Sequence, residues 1–173
     1  MEIPAQGLSQ PLSPGSIYGT AATVGSAVAH PIPGVLTAIG SLNVFIGGLP
    51  AWRGVPALTL SLQIEGFLQA KAASDLIVEA SILAPLPVQL AVQNAQVAVM
   101  LPLVVALGGA QADLHECGTP LPPVPHGGGI VLPGSETVFI NGCRACRQGD
   151  EVFEPIGPPD PIVMGWPTVW IGG

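Results

Sequence analysis

The sequence predicts a mainly β body with pseudo-threefold symmetry, built from three copies of one short hairpin, with a helical, apolar insertion between the first and second copies. Two observations carry that expectation. The first is that three segments align without gaps: Gly40-Ser41-Leu42-Asn43-Val44-Phe45-Ile46-Gly47-Gly48, Gly134-Ser135-Glu136-Thr137-Val138-Phe139-Ile140-Asn141-Gly142, and Gly165-Trp166-Pro167-Thr168-Val169-Trp170-Ile171-Gly172-Gly173. Each is a glycine turn, a short β-branched and aromatic strand, and a Gly-Gly or Asn-Gly turn, and such dipeptides favour two-residue hairpins because both positions accept positive φ. The second is spacing. Gly134 and Gly165 lie 31 positions apart, whereas Gly40 and Gly134 lie 94 apart. Roughly residues 55–112 are therefore a foreign element in the first inter-repeat loop. The chain divides into 1–54 (an N-terminal segment and the first repeat), 55–112 (the insertion) and 113–173 (the second and third repeats).

Composition bounds the rest. Glycine (23) and proline (20) make up about a quarter of the 173 residues, near the level at which disorder becomes a concern. The apolar content of 49% and mean hydropathy of +0.59 nevertheless provide ample surface to bury. Only 9% of residues are charged, with 11 acids against 4 bases for a net charge of −7. Arg53, Lys71, Arg144 and Arg147 cannot form the basic stripe that a nucleic-acid groove needs to release counterions, which excludes that class. Three cysteines do not make a disulfide framework. Met1-Glu2-Ile3-Pro4 lacks the basic start and apolar run of a secretory signal. Short strands and glycine-rich turns leave little core, so a scaffold of this kind is expected to need a staple, either a disulfide or a metal.

Within the insertion, Leu58, Leu60, Leu62 and Ile64 alternate with polar residues, and Gly66 to Ile77 reads as helical. From Ser81 to Ala112 there is no charge. Pro85, Pro87 and Pro102 are expected to break this run, leaving only Val97 to Gly109 densely apolar, which is too short to span a bilayer alone.

An arginine follows each of the first two second turns at a fixed offset, in Pro50-Ala51-Trp52-Arg53 and in Arg144-Ala145-Cys146-Arg147-Gln148-Gly149-Asp150. With the Gly-Ser-x-x-Val-Phe-Ile-x-Gly segments, these resemble the Pro-Ala-Ala-Arg signature of PAAR-repeat proteins, over roughly residues 20–54 and 113–173. The resemblance implies a small pointed cone of β-hairpins with a zinc ion near its tip. Its base would cap the trimeric β-helix of a VgrG-type spike, one monomer per trimer, in type VI secretion or a related contractile injection machine. It implies assembly in the bacterial cytoplasm and export by the machine. With Gly173 on the third repeat, no fused toxin domain is expected. The third copy carries no arginine signature. The cysteine that the family often places early in the third repeat is missing, because that stretch reads Glu151-Val152-Phe153-Glu154-Pro155.

The candidate metal ligands are His30, His115, Cys117 and His126. His30 precedes Gly40 by ten residues and His126 precedes Gly134 by eight, while His115-x-Cys117 closes the insertion. Three imidazoles and a thiolate form a closed tetrahedral set of the kind found in structural zinc sites. His115 and Cys117 share a face if that stretch is extended. The competing reading leaves these as solvated loop histidines. Cys143-x-x-Cys146 is a rival ligand pair; its alternatives are strand-end packing or a disulfide formed after export. No catalytic residue is expected, since Ser41 and Ser135 occupy repeated turns and a zinc ion with four protein ligands has no open position for water. The insertion has three possible roles: packing on the cone, docking on a spike, effector or chaperone, or entering a target membrane. The chain is expected to be a structural tip; an effector or cargo adaptor is the alternative.

Overall fold

The computed structural model describes residues 18–24, 26–29, 40–109, 111–121 and 124–173, and only the backbone for 116–121 and 124–127. It is β-rich, with several small sheets and two long helices. In chain order the strands are β1 (Tyr18–Ala21), β2 (Phe45–Ile46), β3 (Leu49–Pro50) and β4 (Arg53–Pro56). The helices α1 (Ser61–Ser81) and α2 (Leu86–Gly108) follow. Then come β5 (His115–Leu121), β6 (Val124–Leu132), β7 (Phe139–Ile140), β8 (Cys143–Ala145), β9 (Glu151–Phe153), β10 (Asp160–Pro161) and β11 (Trp166–Gly172).

Two of the three aligned segments form hairpins as expected. β2 and β3 pair through Gly47-Gly48, and β7 and β8 pair through Asn141-Gly142. All four turn residues have positive φ, between 52° and 84°, as the favoured two-residue turn requires. Ser41 and Ser135 are buried, and each accepts a bond at Oγ from the backbone N–H three residues on, Val44 at 3.1 Å and Val138 at 3.0 Å. They are turn-builders.

The third segment is not a hairpin of consecutive strands. β11 pairs antiparallel with β1, so that Ile171 faces Gly19 and Trp170 faces Thr20. The N-terminal strand stands where β3 and β8 stand in the other two copies. Three residues just beyond these strands form a closed ring of backbone hydrogen bonds. Ala22 N–H donates to Cys146 C=O (2.8 Å), Cys146 to Trp52 (3.1 Å) and Trp52 to Ala22 (3.0 Å). Directly beside the ring, Ala21, Ala51 and Ala145 are all fully buried in one cluster with Ile140 and Ile171. Alanine fits where three backbones converge because a larger side chain would find no room.

A four-stranded sheet in the order β10-β9-β6-β5 and a three-stranded sheet β4-β8-β7 complete the β body. Trp52, Val131, Cys146, Val152 and Ile162 fill a second cluster between them. A third cluster joins the helices to the body, with Phe67, Met100, Val104 and Leu107 against Val55, Ile130 and Leu132.

The helices differ from expectation at three points. α1 begins at Ser61 and so absorbs Leu62 and Ile64; the Gln63 side chain turns back to accept from the Leu60 N–H (3.0 Å), half of a capping box. α2 is one continuous helix of 23 residues. Pro87 lies in its first turn, where the missing N–H has no partner to lose. Pro102 does remove an interior bond, yet Met100, Val104 and Leu107 hold the helix on the body around it. Packing overrides propensity here.

Candidate functional site

Three features could serve function. The first is a repeated turn. Arg53 N–H donates to Asp113 Oδ2 (2.9 Å) and Asp113 N–H to Arg53 C=O (2.9 Å). Arg147 N–H donates to Asp150 Oδ2 (2.7 Å) and Asp150 N–H to Arg147 C=O (3.1 Å). Both guanidiniums also grip their carboxylates, at 2.7 Å and 2.9 Å from the Nη2 atoms, and both reach back to the glycine carbonyl that opens their own repeat, Gly40 or Gly134. Arg147 additionally bonds the Gly173 carbonyl. Beyond β1 the same backbone turn recurs with neutral side chains, where Thr23 N–H donates to Ser26 Oγ (2.9 Å) and Ser26 N–H to Thr23 C=O (2.8 Å). The hydrogen bond to Asp113 holds the Arg53 guanidinium pKa above its ordinary value. Burial pushes the Asp150 carboxyl up, with Arg147 opposing. These pairs are structural clamps, and the arginine of the signature is the clamp's cation.

The second feature is the neighbourhood of the predicted metal ligands. His115 is fully buried, with Nε2 3.0 Å from Oε1 of an equally buried Glu154. Its ring is tilted against Trp52, with centroids 6.2 Å apart. Glu154 seats over Gly129, where a Cβ would come within 2.8 Å of its Cγ. The backbone register of β5 and β6 sets Cys117 opposite Gly127, next to His126, and His115 opposite Gly129. Three of the four predicted ligands thus lie on one hairpin, with His115 and Cys117 two positions apart on the same strand. His30 lies outside the described residues. Among the described residues, no group of three donor side chains is clustered as a metal site. The donor chemistry on the hairpin, imidazole and thiol with a buried carboxylate behind, suits zinc. Sequence reasoning missed Glu154. Its signal was a lone acid among apolar and proline residues, Val152-Phe153-Glu154-Pro155.

The rival pair takes a different course. Cys143 and Cys146 are free thiols and buried. Burial raises both pKa values, strongly for Cys146, so they are poor thiolates. Cys146 supplies backbone to the ring and side chain to the core.

The third feature is an exposed aromatic set. Phe45, Phe139 and Trp170 occupy the same place in the three aligned strands, between an aliphatic residue and an inward isoleucine, and are 57%, 46% and 56% exposed. The neighbouring Ile46, Ile140 and Ile171 turn into the shared cluster instead.

Residues 122–173 match the family model described as the PAAR motif. Among curated proteins and solved structures, none matches the chain. The chain carries a PAAR motif, as its sequence implied, and the motif points to a spike-tip role in contractile injection systems.

Proposed function

We propose that this PAAR-motif chain is the structural tip of a contractile injection spike, a pseudo-threefold cone that caps a trimeric VgrG-type β-helix. The observation that carries the reading is the set of Phe45, Phe139 and Trp170. Three large aromatics are left in water at equivalent positions around the ring formed by Ala22, Trp52 and Cys146. Apolar groups repeated around an axis form a face suited to a partner with threefold symmetry, and binding would bury all three together.

The helical segment is then an insertion into the turn that elsewhere runs from Arg147 to Asp150, entering after Arg53 and closing at Asp113. One structural zinc ion held by His30, His115, Cys117 and His126 belongs to the same reading, with Glu154 orienting the His115 ring as carboxylates do behind metal-bound imidazoles. When bound, zinc would cross-link segments that have little core of their own. The role is mechanical and needs no catalysis. The chain would assemble in the cytoplasm and leave with the spike, helping to pierce the target envelope and deliver effectors.

The test is binding of the full chain to a purified trimeric VgrG-type spike. Native mass spectrometry should give one monomer per trimer. The triple variant Phe45→Ser, Phe139→Ser, Trp170→Ser should fold with an unchanged thermal midpoint and lose binding by at least a hundredfold. Undiminished binding by that variant would remove the aromatic face from the account.

A further inference from the structure

We propose that the α1–α2 hairpin is a membrane-inserting element that enters a lipid bilayer turn-first, with α2 then crossing the hydrocarbon. The first observation is that polar groups of the hairpin are buried while large apolar ones face water. Lys71 is buried, and its Nζ donates to both carboxylate oxygens of Asp75 (2.5 and 2.6 Å) and to the Gly157 carbonyl (2.5 Å). Gln96 on α2 donates to the same carboxylate (2.7 Å), and Gln93 is buried nearby in sequence. Outside stand Leu76, Ile77, Ile82, Leu83 and Leu86, each more than half exposed, with Leu83 at 95%. A helical pair made for water shows the opposite arrangement. In hydrocarbon, ionisable groups face the interior and pair with one another.

Dimensions and charge agree. α2 has 23 residues and a length of roughly 35 Å at about 1.5 Å per residue, against a hydrocarbon core of about 30 Å. Among the described residues it is the single helix long and apolar enough to cross a membrane, and only 28% of its apolar window is buried, unlike a core helix. From Leu76 to Ala112 the sole charge is Glu79. A hydrophobic turn tip, Ile82-Leu83-Ala84-Pro85-Leu86, leads. Its backbone carbonyls at Ile82 and Ala84 are already bonded by the Gln89 amide (3.0 and 2.7 Å), which lowers the cost of taking it out of water.

The apolar surface also goes too far around the helix for a docking stripe. At about 100° per residue, Val88, Val99, Leu103 and Val105 spread over roughly 160° of α2, and all are exposed. Lipid surrounds a helix in this way, whereas a protein partner covers a seam. None of the three core clusters includes a residue from Leu68 to Val99, so the outer part of the hairpin is free of the β body's cores. Complete crossing requires Met100, Val104 and Leu107 to leave the body. With a net charge of −7, attraction to anionic headgroups is not the driving force.

The experiment is flotation of the full chain with vesicles of zwitterionic phosphatidylcholine at low and high salt. Wild type should float at both. Leu83→Asp with Leu86→Asp, at exposed positions where folding is indifferent, should float at least tenfold less while keeping its circular dichroism spectrum. Glu79→Gln should raise the bound fraction. Failure of wild type to float, or equal flotation of the aspartate variant, overturns the proposal. So does a stoichiometric protein complex that needs Leu83 and Leu86 while wild type stays off vesicles, which would make the hairpin a protein-docking element.

Discussion

Asp113 clamps Arg53 across 60 positions of chain with the same backbone and side-chain bonds by which Asp150 clamps Arg147 across three. The turn geometry does not depend on what lies between the two residues. A long helical hairpin can occupy such a turn because both of its ends are already fixed by the clamp.

Removing either carboxylate should therefore be costly. Asp113 and Asp150 are almost fully buried against their arginines, and deleting one partner of a buried pair leaves an uncompensated charge, typically a loss of about 3–5 kcal/mol. Asp150→Ala is expected near the upper end, because Arg147 is the more buried arginine. Urea unfolding of Asp113→Ala and Asp150→Ala checks both.

Glu151 gives a pH signature. Burial raises its folded pKa above the ordinary 4.5, so the folded state holds this proton more tightly than the unfolded chain does. The cost of its charged form is present at neutral pH and fades as pH falls through the folded pKa and then the unfolded one. Glu151→Gln should raise the thermal midpoint at pH 7, and the gap between variant and wild type should close toward pH 4. A gap that widens in acid would reverse the sign of the argument.

The two described thiols should be inert. Both are buried with raised pKa values, so at pH 8 iodoacetamide should leave Cys143 and Cys146 unmodified in the native protein and label them in urea. Peptide mapping reads each site separately from Cys117.

Metal content tests the staple. Protein purified without added metal should hold about one zinc per chain by mass spectrometry. His126→Ala should lose it together with thermal stability, since binding to the folded state is folding free energy. Wild-type protein without zinc would rule out the three-histidine, one-cysteine site.

The hairpins at Gly47-Gly48 and Asn141-Gly142 were legible because their signal is local, with turn residues at a fixed offset from a β-branched strand. The closing of β11 by β1 was not. Tyr18-Gly19-Thr20-Ala21 carries no hydrophobic alternation, and its place is set by a strand some 150 positions away. The continuous α2 was missed for a related reason, since Pro102 is a local breaker and the packing that overrules it comes from Ile130 and Leu132. Of the candidate site, the expected donors His115, Cys117 and His126 are visible as residue types brought to one hairpin. Glu154 stands out from its neighbours only as an acid among apolar and proline residues; its pairing with His115 is a contact between distant segments that those neighbours do not specify.

The pairing of β1 with β11 also orders events in time. β1 is made some 150 positions before its partner strand, so the pairing of β1 with β11 closes only after everything between them has emerged. Contacts so distant in sequence are slow to form. Throughout that interval the hairpin, with its outward leucines, is already out and has no finished body beside it. A nascent chain in that state is an aggregation hazard. The cell making this protein has most need to shelter α1 and α2 before β11 arrives.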